Sequence, residues 1–198
     1  AYMNVAALRQ HIQANERIHG IFTHGGDKPN IVPHRASQSW YVRSRNLRTL
    51  EPLKERFVAC IEGGTTAAGC SCSFRWSDTP YSDMIDNGPM VESYVANMSS
   101  LGRTVRDPRQ VPGVVGSTDM GNVSYLVPSI HPIVQVSPPT VAIHTTEFAR
   151  YARSESGDKA VLDGAKAMAM TVVDMWCDAA LRDAVRADFT TALARANA

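Results

Sequence analysis

The sequence predicts a mixed α/β protein in two parts, a truncated ferredoxin-like α+β unit followed by a second α/β unit. The composition is that of a folded globular chain, because 44% of the 198 residues are hydrophobic and 20% are charged. Apolar residues recur at helical spacing in some stretches and alternate in others. Residues 1–76 hold 10 Lys and Arg against 5 Asp and Glu, whereas residues 77–198 hold 10 against 14. This change of charge predicts two domains, 1–77 and 78–198.

The first domain alternates helices with strands. Apolar residues at helical spacing predict a helix that ends near Asn15 and a second one over Leu50–Ile61, closed at Gly63-Gly64 or at Gly69. Strands are predicted at Ile18–Phe22, Ser37–Ser44 and Cys70–Trp76. Helix, strand, strand, helix, strand is the ferredoxin-like βαββαβ order without its first strand. We therefore expect the sequence to begin inside a domain.

The second domain is predicted to contain long helices and two apolar strands. The helices are expected over Pro89–Leu101, around Val161–Met175 and over Leu181–Ala194. The strand-like runs are Val123–Val127 and Ile130–Val136. The middle helix carries the small residues Gly164, Ala165, Ala167 and Ala169. Small side chains allow close approach, so we expect this helix to pack against a sheet.

One histidine, His144, is the leading candidate for a functional residue. It follows the short apolar run Val141–Ile143, and Thr145 or Thr146 can cap a helix behind it, with Glu147 in the first turn. A histidine at a strand-to-helix junction is held by backbone on both sides, which suits a metal ligand or a catalytic base. The alternative is a histidine in a capping loop whose side chain is satisfied by the backbone.

A polar turn lies about 25 residues before this histidine. Gly116-Ser117-Thr118-Asp119 follows an apolar pair and precedes another glycine. Such a turn can direct backbone N–H groups and two hydroxyls toward an anion, or it can be a tight structural turn only. The GxxxxGK[ST] pattern of a phosphate loop is absent. Together with His144, the turn predicts a substrate-and-metal pocket at the ends of two strands.

The cysteines and the hydropathy restrict the class of protein. The sequence lacks the two closely spaced cysteine pairs of a structural zinc site, since its cysteines are Cys60, Cys70, Cys72 and Cys177. The pair Cys70 and Cys72 offers two metal ligands at most. We therefore expect reduced thiols in a cytoplasmic protein. No apolar run approaches the roughly 18 residues of a membrane span, so no membrane partner is expected.

Several motifs, in order, resemble the zinc aminoacylase and carboxypeptidase family, which is metallopeptidase family twenty. The motifs of the second domain are Gly116–Ser124, Ile130-His131-Pro132 and His144–Phe148. Those of the first domain, Arg17–Ile21, His24-Gly25-Gly26, Pro29–Pro33 and Tyr41-Val42-Arg43, resemble the family's inserted lid or dimerisation domain. The branch that the sequence is most similar to is that of amidohydrolases such as aminoacylase-1-like dipeptidases and aminobenzoyl-glutamate hydrolases. The likeness runs from about Tyr2 to Phe189.

The resemblance implies a metal-dependent amidohydrolase with a zinc-peptidase-like α/β catalytic domain. Its substrate would be an N-acyl amino acid or a dipeptide-like amide, cleaved by water that a pair of zinc ions activates, with manganese or cobalt as possible substitutes. It also implies a homodimer formed through the lid. His144 matches the family's C-terminal metal-ligand histidine. His24 and His131 match no known catalytic position, so we interpret both as structural.

Further residues match the family's substrate-binding positions. Asn30 matches a lid asparagine that contacts substrate or stabilises the tetrahedral oxyanion, and Arg43 matches a lid arginine for which a structural role is the alternative. Gly116, Ser117, Thr118 and Asp119 match the loop that lines the substrate pocket.

The sequence also departs from the family pattern. No histidine is followed two residues later by aspartate, there is no Glu-Glu pair, and Asp78-Thr79 stands where some relatives place an arginine for an α-carboxylate. With one convincing ligand where a catalytic zinc needs about three, we assign no catalytic residue to this chain. We expect this chain to be the C-terminal part of a longer enzyme and to be inactive alone. Its partner would be the N-terminal half of the catalytic domain.

Two alternatives remain, both of them binding modules. The chain can be a dimerisation scaffold without activity. It can also be a ferredoxin-like RNA-binding domain that uses Trp40, Tyr41, Arg43, Arg45 and Arg48. The RNP1-type string is absent and the second half is acidic, so we expect no nucleic-acid partner.

Overall fold

A computed structural model describes residues 1–106 and 117–197. Within these residues the protein is a mixed α/β structure with seven α-helices and one two-stranded sheet. The chain divides into two compact units, Ala1–Asp83 and Met84–Ala198. None of the described helices is both long enough and apolar enough to cross a membrane.

The first unit has the helix, strand, strand, helix order that the sequence predicts. Its elements are α1 (Tyr2–Leu8, continued by a 3-10 turn at Arg9–His11), β1 (Arg17–His24), β2 (Ser37–Arg43) and α2 (Leu47–Ala67). The Asn46 side chain caps α2 by accepting a hydrogen bond from Thr49 N at 3.0 Å. The helix runs through Gly63-Gly64, and Gly69 behind it has φ +65°, a conformation that glycine adopts without strain.

The core of the first unit lies between the two helices and the hairpin. β1 and β2 are antiparallel, with Ile18 opposite Val42 and Gly20 opposite Trp40. The missing side chain of Gly20 leaves room for the Trp40 ring, which contacts it directly. The buried core residues are Val5, Leu8, Ile18, Leu53 and Phe57. Two helices on one face of a hairpin bury enough apolar surface to give this unit its own core.

The predicted third strand over Cys70–Trp76 is wrong. These residues are exposed and in no regular element. Phe74 and Trp76 contact each other with ring centroids 6.3 Å apart, and the Trp76 ring lies 5.9 Å from that of Phe57 on α2. A strand is defined by ladder hydrogen bonds to a neighbour, and no described backbone lies alongside to supply them. The ferredoxin-like sheet is therefore present only as its hairpin.

The second unit is helical in its described residues. Its elements are α3 (Gly88–Ser100), α4 (Met120–Ser124), α5 (Thr146–Ala152), α6 (Glu155–Cys177) and α7 (Ala179–Asn197). The three long helices confirm the sequence prediction. The predicted strands are wrong, because Val123–Val127 is partly helix α4 and Ile130–Val136 is irregular. One isolated parallel bridge, between Asp86 and Ser129, is the remaining strand-like contact.

Helix α6 packs against α3 through its small and polar residues. The buried residues of α6 are Gly157, Ala160, Asp163, Gly164, Ala167 and Thr171. Of these, Ala167 shares a core cluster with Tyr94 and Met98 of α3. Asn97 of α3 donates to Thr171 Oγ1 at 3.1 Å and to Asp174 Oδ2 at 2.8 Å, and these bonds satisfy groups that would be costly to bury unpaired. The prediction that the small residues pack against a sheet is wrong for the described residues. Ala167 packs with residues of α3, Gly164 lies beside Val134 in an irregular segment, and Ala165 and Ala169 are exposed.

The opposite face of α6 is apolar and exposed. Six large apolar residues on this face keep between 46% and 76% of their surface accessible to solvent, namely Val161, Leu162, Met168, Val172, Val173 and Trp176. At 3.6 residues per turn they span an arc of about 140°. An apolar face of this width on a helix is typical of a face that is buried.

We expect Leu53→Ala to lower the free energy of unfolding by about 2–5 kcal/mol, because Leu53 is 1% exposed and the change leaves a cavity in the core. Val32→Ala is the control, since Val32 is 91% exposed and its truncation should cost less than about 0.5 kcal/mol. Urea unfolding followed by circular dichroism measures both. Equal losses for the two variants would contradict the core assignment.

Candidate functional site

His144 lies in a turn that is held from both sides. Val141 N donates to Pro138 O at 3.0 Å before it, and the Thr145 side chain caps α5 after it by accepting from Phe148 N at 3.1 Å. The Thr145 hydroxyl also donates to Ala142 O at 2.8 Å. The predicted helix cap is therefore confirmed. The predicted strand before it is wrong, since residues 141–143 form turns and bends.

The backbone of His144 is strained. Its φ is +64°, and among the described residues it is the one non-glycine residue with positive φ. For an L-residue this conformation costs about 1–2 kcal/mol. Such strain is found more often at functional sites than elsewhere.

The imidazole of His144 is free to act on a ligand. The residue is exposed, and no described residue forms a hydrogen bond with its side chain. The capping function belongs to Thr145, so the imidazole does not satisfy the capping loop. An unpaired imidazole offers one nitrogen for a metal or a proton and the other for an orienting partner.

The polar turn that precedes α4 is only partly described. Gly116 lies outside the described residues, Ser117 and Asp119 are exposed, and Thr118 is partly buried. Thr118 Oγ1 accepts from Met120 N at 3.3 Å. No hydrogen bond joins His144 to the described part of this turn. The predicted pocket at the ends of two strands is not formed by the described residues, because the strands themselves are absent.

Helix α4, which follows this turn, is fixed by two hydrogen bonds of Ser124. Ser124, which is fully buried, accepts a hydrogen bond from Ile85 N at 2.9 Å and donates one to Gly121 O at 2.7 Å. Both bonds satisfy buried polar groups. They fix α4 and the residues before it on the body of the second unit.

Asn30 and Arg43 lie at different ends of the hairpin in the first unit. Asn30 is exposed in the connection between β1 and β2, inside a turn in which Ile31 N donates to Lys28 O at 3.2 Å. Arg43 ends β2, and its guanidinium carbon lies 5.3 Å from the centre of the Tyr41 ring. This cation–π contact gives Arg43 a structural role beside any contact to substrate.

His24 and His131 have surroundings unlike those of His144. His24 ends β1 at an irregular pair with Ser37. His131 lies near Asp86, where burial raises the pKa of the Asp86 carboxyl and the charge of His131 opposes that rise. Neither residue has the strained backbone of His144.

The described residues do not by themselves make up a metal site. In ranges 1–106 and 117–197, no three His, Cys, Asp or Glu side chains are placed so that they could hold an ion. All four cysteines are free thiols. His144 is thus a single candidate ligand, and a catalytic zinc needs about three.

A buried carboxylate between two cations was not foreseen from the sequence. Asp163 Oδ2 accepts from Arg103 Nε at 2.7 Å and from Lys159 Nζ at 2.8 Å. Both hydrogen bonds lower the pKa of Asp163, and the bond from Lys159 has the larger effect. The i, i+4 spacing of Lys159 and Asp163 is visible in the sequence, whereas the approach of Arg103 from 60 residues away is not.

The two cations also line a shallow groove of about 390 Å³. Its other polar walls include Gln135, Tyr151 and Ser156. Arg103 is held in place by a second bond, from Nη1 to Gln135 O at 3.0 Å. Asp163 neutralises one of the two positive charges, so these three side chains leave the groove with one net positive charge.

The chain is similar to known dipeptidases over almost its whole length. It is 33% identical over 190 residues, 96% of the chain, to the Xaa-Arg dipeptidase of Mus musculus. It is 32% identical over 190 residues to the Xaa-Arg dipeptidase of Homo sapiens. No model of a protein family matches. The chain spans less than half the length of these relatives, since the match covers 44% of the mouse protein and 43% of the human protein.

We expect the Asp163 carboxylate to make stability depend on acid pH. Because its pKa is lower in the folded state, its stabilising effect is present above the ordinary Asp pKa of about 3.9 and is lost as the pH falls through the folded value. Asp163→Asn should therefore lower the melting temperature at pH 7 more than at pH 3.

The matched control for this prediction is Lys159→Gln. The Lys159 side chain keeps 65% of its surface, so its loss should matter less than that of Asp163. Calorimetry of the three proteins between pH 3 and pH 7 measures the difference. A constant gap between Asp163→Asn and the unmodified chain at all pH values would refute the assignment.

Proposed function

We propose that the chain is the C-terminal part of a metal-dependent amidohydrolase of the zinc aminoacylase and carboxypeptidase family. In the intact enzyme it would help to hydrolyse the amide bond of an N-acyl amino acid or a dipeptide-like substrate. The observation that carries the proposal is the similarity to two dipeptidases over 96% of the chain. The motifs around Gly116–Ser124 and His144–Phe148 agree with it.

His144 is the metal ligand that this chain would contribute. The strained, doubly held turn presents an exposed imidazole without a hydrogen-bond partner among the described residues. A neutral imidazole with a free nitrogen is a common ligand of zinc. The metal pair, when bound, would supply the activated water of the reaction. The remaining ligands and the general base would come from the other half of the catalytic domain.

Asn30, Arg43 and the turn Gly116–Asp119 would contact the substrate. The Asn30 amide can donate a hydrogen bond to the oxyanion that develops when water attacks the amide carbonyl. Arg43 can bind a carboxylate with the guanidinium edges that its contact with Tyr41 leaves free. Ser117 and Thr118 offer hydroxyls, and Asp119 offers a carboxylate for a positively charged or amide group.

The exposed face of α6 also supports a longer protein. Six large apolar side chains on one side of a helix form a patch that soluble proteins normally cover. In α/β domains such a face packs against the central sheet. The N-terminal half of the catalytic domain would provide that sheet, and the relatives have the length to contain it.

A dimerisation module without activity is the second candidate function. It is favoured by the absence of a three-ligand cluster in the part of the chain that the structure describes. Among the described residues its hairpin also leaves the outer edge of β1 without a strand partner, and Ile21 and Phe22 of that strand are exposed. The two candidates differ in one property, which is hydrolysis by the natural-length protein.

We expect the natural-length protein to hydrolyse N-acyl amino acids or dipeptides and to lose this activity in a chelator. His144→Ala should lower turnover and metal affinity together, by about ten- to a hundred-fold or more, because it removes a ligand. Turnover and metal content of purified proteins measure both effects. Residues 1–198 alone should show no hydrolysis, since residues 1–106 and 117–197 contain no complete ligand set.

His131→Ala is the matched control, because His131 is also exposed but has an unstrained backbone. It should keep metal content and turnover and alter stability at most. If His144→Ala keeps full metal content and full activity, His144 is not a ligand. If the unmodified protein hydrolyses no amide, the dimerisation module is the better interpretation.

We also expect the natural-length protein to be a homodimer joined at the free edge of β1. An exposed edge with apolar side chains is a template for pairing, and Ile21 keeps 65% of its surface. Ile21→Lys should raise the dimer dissociation constant by about ten-fold or more. Ile31→Lys, a change at a residue that is 56% exposed between the strands, is the control. Sedimentation of an unmodified monomer at high concentration would argue against this dimer.

A further inference from the structure

The groove of about 390 Å³ at the start of α6 carries one positive charge more than its carboxylate partner can neutralise. Arg103 and Lys159 line the groove, and both pair with the buried Asp163, whose side chain is 6% exposed. One carboxylate neutralises one of the two cations, and the second charge remains. Glu155 and Asp158 in the first turn of α6 are exposed and lie outside the lining, so water and salt screen their charges.

Both cations keep N–H groups that Asp163 does not occupy. Arg103 uses Nε for Asp163 and Nη1 for Gln135 O, and the N–H groups of its Nη2 donate to no described residue. Lys159 donates to Asp163 at 2.8 Å and keeps 65% of its side chain accessible to solvent. Because Asp163 and Gln135 hold the guanidinium from two sides, a ligand that binds it pays little for ordering it. The groove therefore presents positively charged donors in a fixed arrangement.

The backbone carbonyls of the groove wall already accept hydrogen bonds. Val136 O accepts from Ser156 Oγ at 3.0 Å. Ser137 O accepts from Gln135 Nε2 at 2.8 Å, and Gln135 O accepts from Arg103 Nη1 at 3.0 Å. A bare carbonyl oxygen attracts cations and repels anions, and a bound donor offsets part of its negative charge. The wall therefore favours an anion over a cation.

The rest of the lining includes apolar surface, from Val136, Pro138 and the ring of Tyr151. The volume of the groove lies at the lower end of the range for small-molecule sites. Apolar walls beside a cationic end suit a ligand with an apolar body and one charged group. A planar carboxylate matches the guanidinium in shape, and its single negative charge matches the one positive charge that Asp163 leaves.

We propose that this groove binds a small carboxylic acid with an apolar body. The carboxylate accepts hydrogen bonds from Arg103 and Lys159, and the body lies against Pro138 and Tyr151. His144 is not among the residues that line the groove. The carboxylate site is therefore distinct from the metal-ligand function proposed for His144, and neither depends on the other.

Fluorine NMR with para-fluorobenzoate as the probe tests the proposal on the natural-length protein. We expect para-fluorobenzoate to bind. The neutral para-fluorobenzamide, which has nearly the same shape, should bind about ten-fold more weakly or worse, because hydrogen bonds to a charged group are the stronger ones. Inorganic phosphate should displace para-fluorobenzoate less effectively than benzoate does at the same concentration, because phosphate has no apolar body.

Three variants assign the bound probe to the groove. Arg103→Lys should raise the dissociation constant of para-fluorobenzoate by about ten-fold, because it keeps the charge and the pairing with Asp163 but loses the guanidinium fork. Lys159→Gln should raise it by about two- to five-fold, a smaller effect because the amine is exposed. Arg153→Gln is the matched control, since it removes an exposed positive charge that lies outside the lining, and it should leave the constant unchanged. Circular dichroism checks that each variant is folded.

The proposal is overturned if the amide binds as tightly as the acid, if phosphate competes as well as benzoate, or if the natural-length protein binds neither probe. Equal losses of affinity in Arg153→Gln and Lys159→Gln would show a general effect of charge and would also overturn it. His144→Ala should bind para-fluorobenzoate as the unmodified protein does, and a loss of binding there would place the probe at the proposed metal site instead. Binding in a protein that hydrolyses no amide supports the groove and rejects the proposed function.

Discussion

Helix α6 has a buried side of small and polar residues and an exposed apolar side, and the organisation of the second unit depends on how each of them is used. On the buried side, Ala167 packs with residues of α3, while Gly157 lies against the end of α5 and Gly164 beside Val134. The contact with α3 buries polar groups as well, and Asn97 satisfies them by bonding Thr171 and Asp174. The other side carries its large side chains outward. A helix of this kind belongs between two layers, of which the described residues contain one.

In the first unit, the sheet of the described residues has only two strands. A hairpin alone is marginal in water, and here it is stabilised by α1 and α2, with Leu53 and Phe57 in the shared core. Its outer edges remain unpaired in the described residues. The outer edge of β1 is suited to a second copy of the chain, because pairing would use backbone groups that otherwise bind only water.

The backbone of His144 is strained, although no interaction within its own turn uses the imidazole. Thr145 already caps α5, and the bonds of Thr145 and Val141 hold the turn without the imidazole. A positive φ at a residue other than glycine persists only where the surrounding structure imposes it. The strain therefore agrees with a residue that acts on something outside the described chain. The proposed metal ligand is such a residue.

The sequence by itself predicted the long helices, the hairpin and the Thr145 cap, because these depend on spacing and on neighbours in the chain. Thr145 caps α5 for a reason visible within three residues. The other predicted strands were decided only by tertiary structure. Cys70–Trp76 and Ile130–Val136 have strand-like composition, but a strand needs a partner, and the described chain provides none. The partner of α6 and the bond from Arg103 to Asp163 likewise depend on residues distant in sequence, which no local pattern encodes.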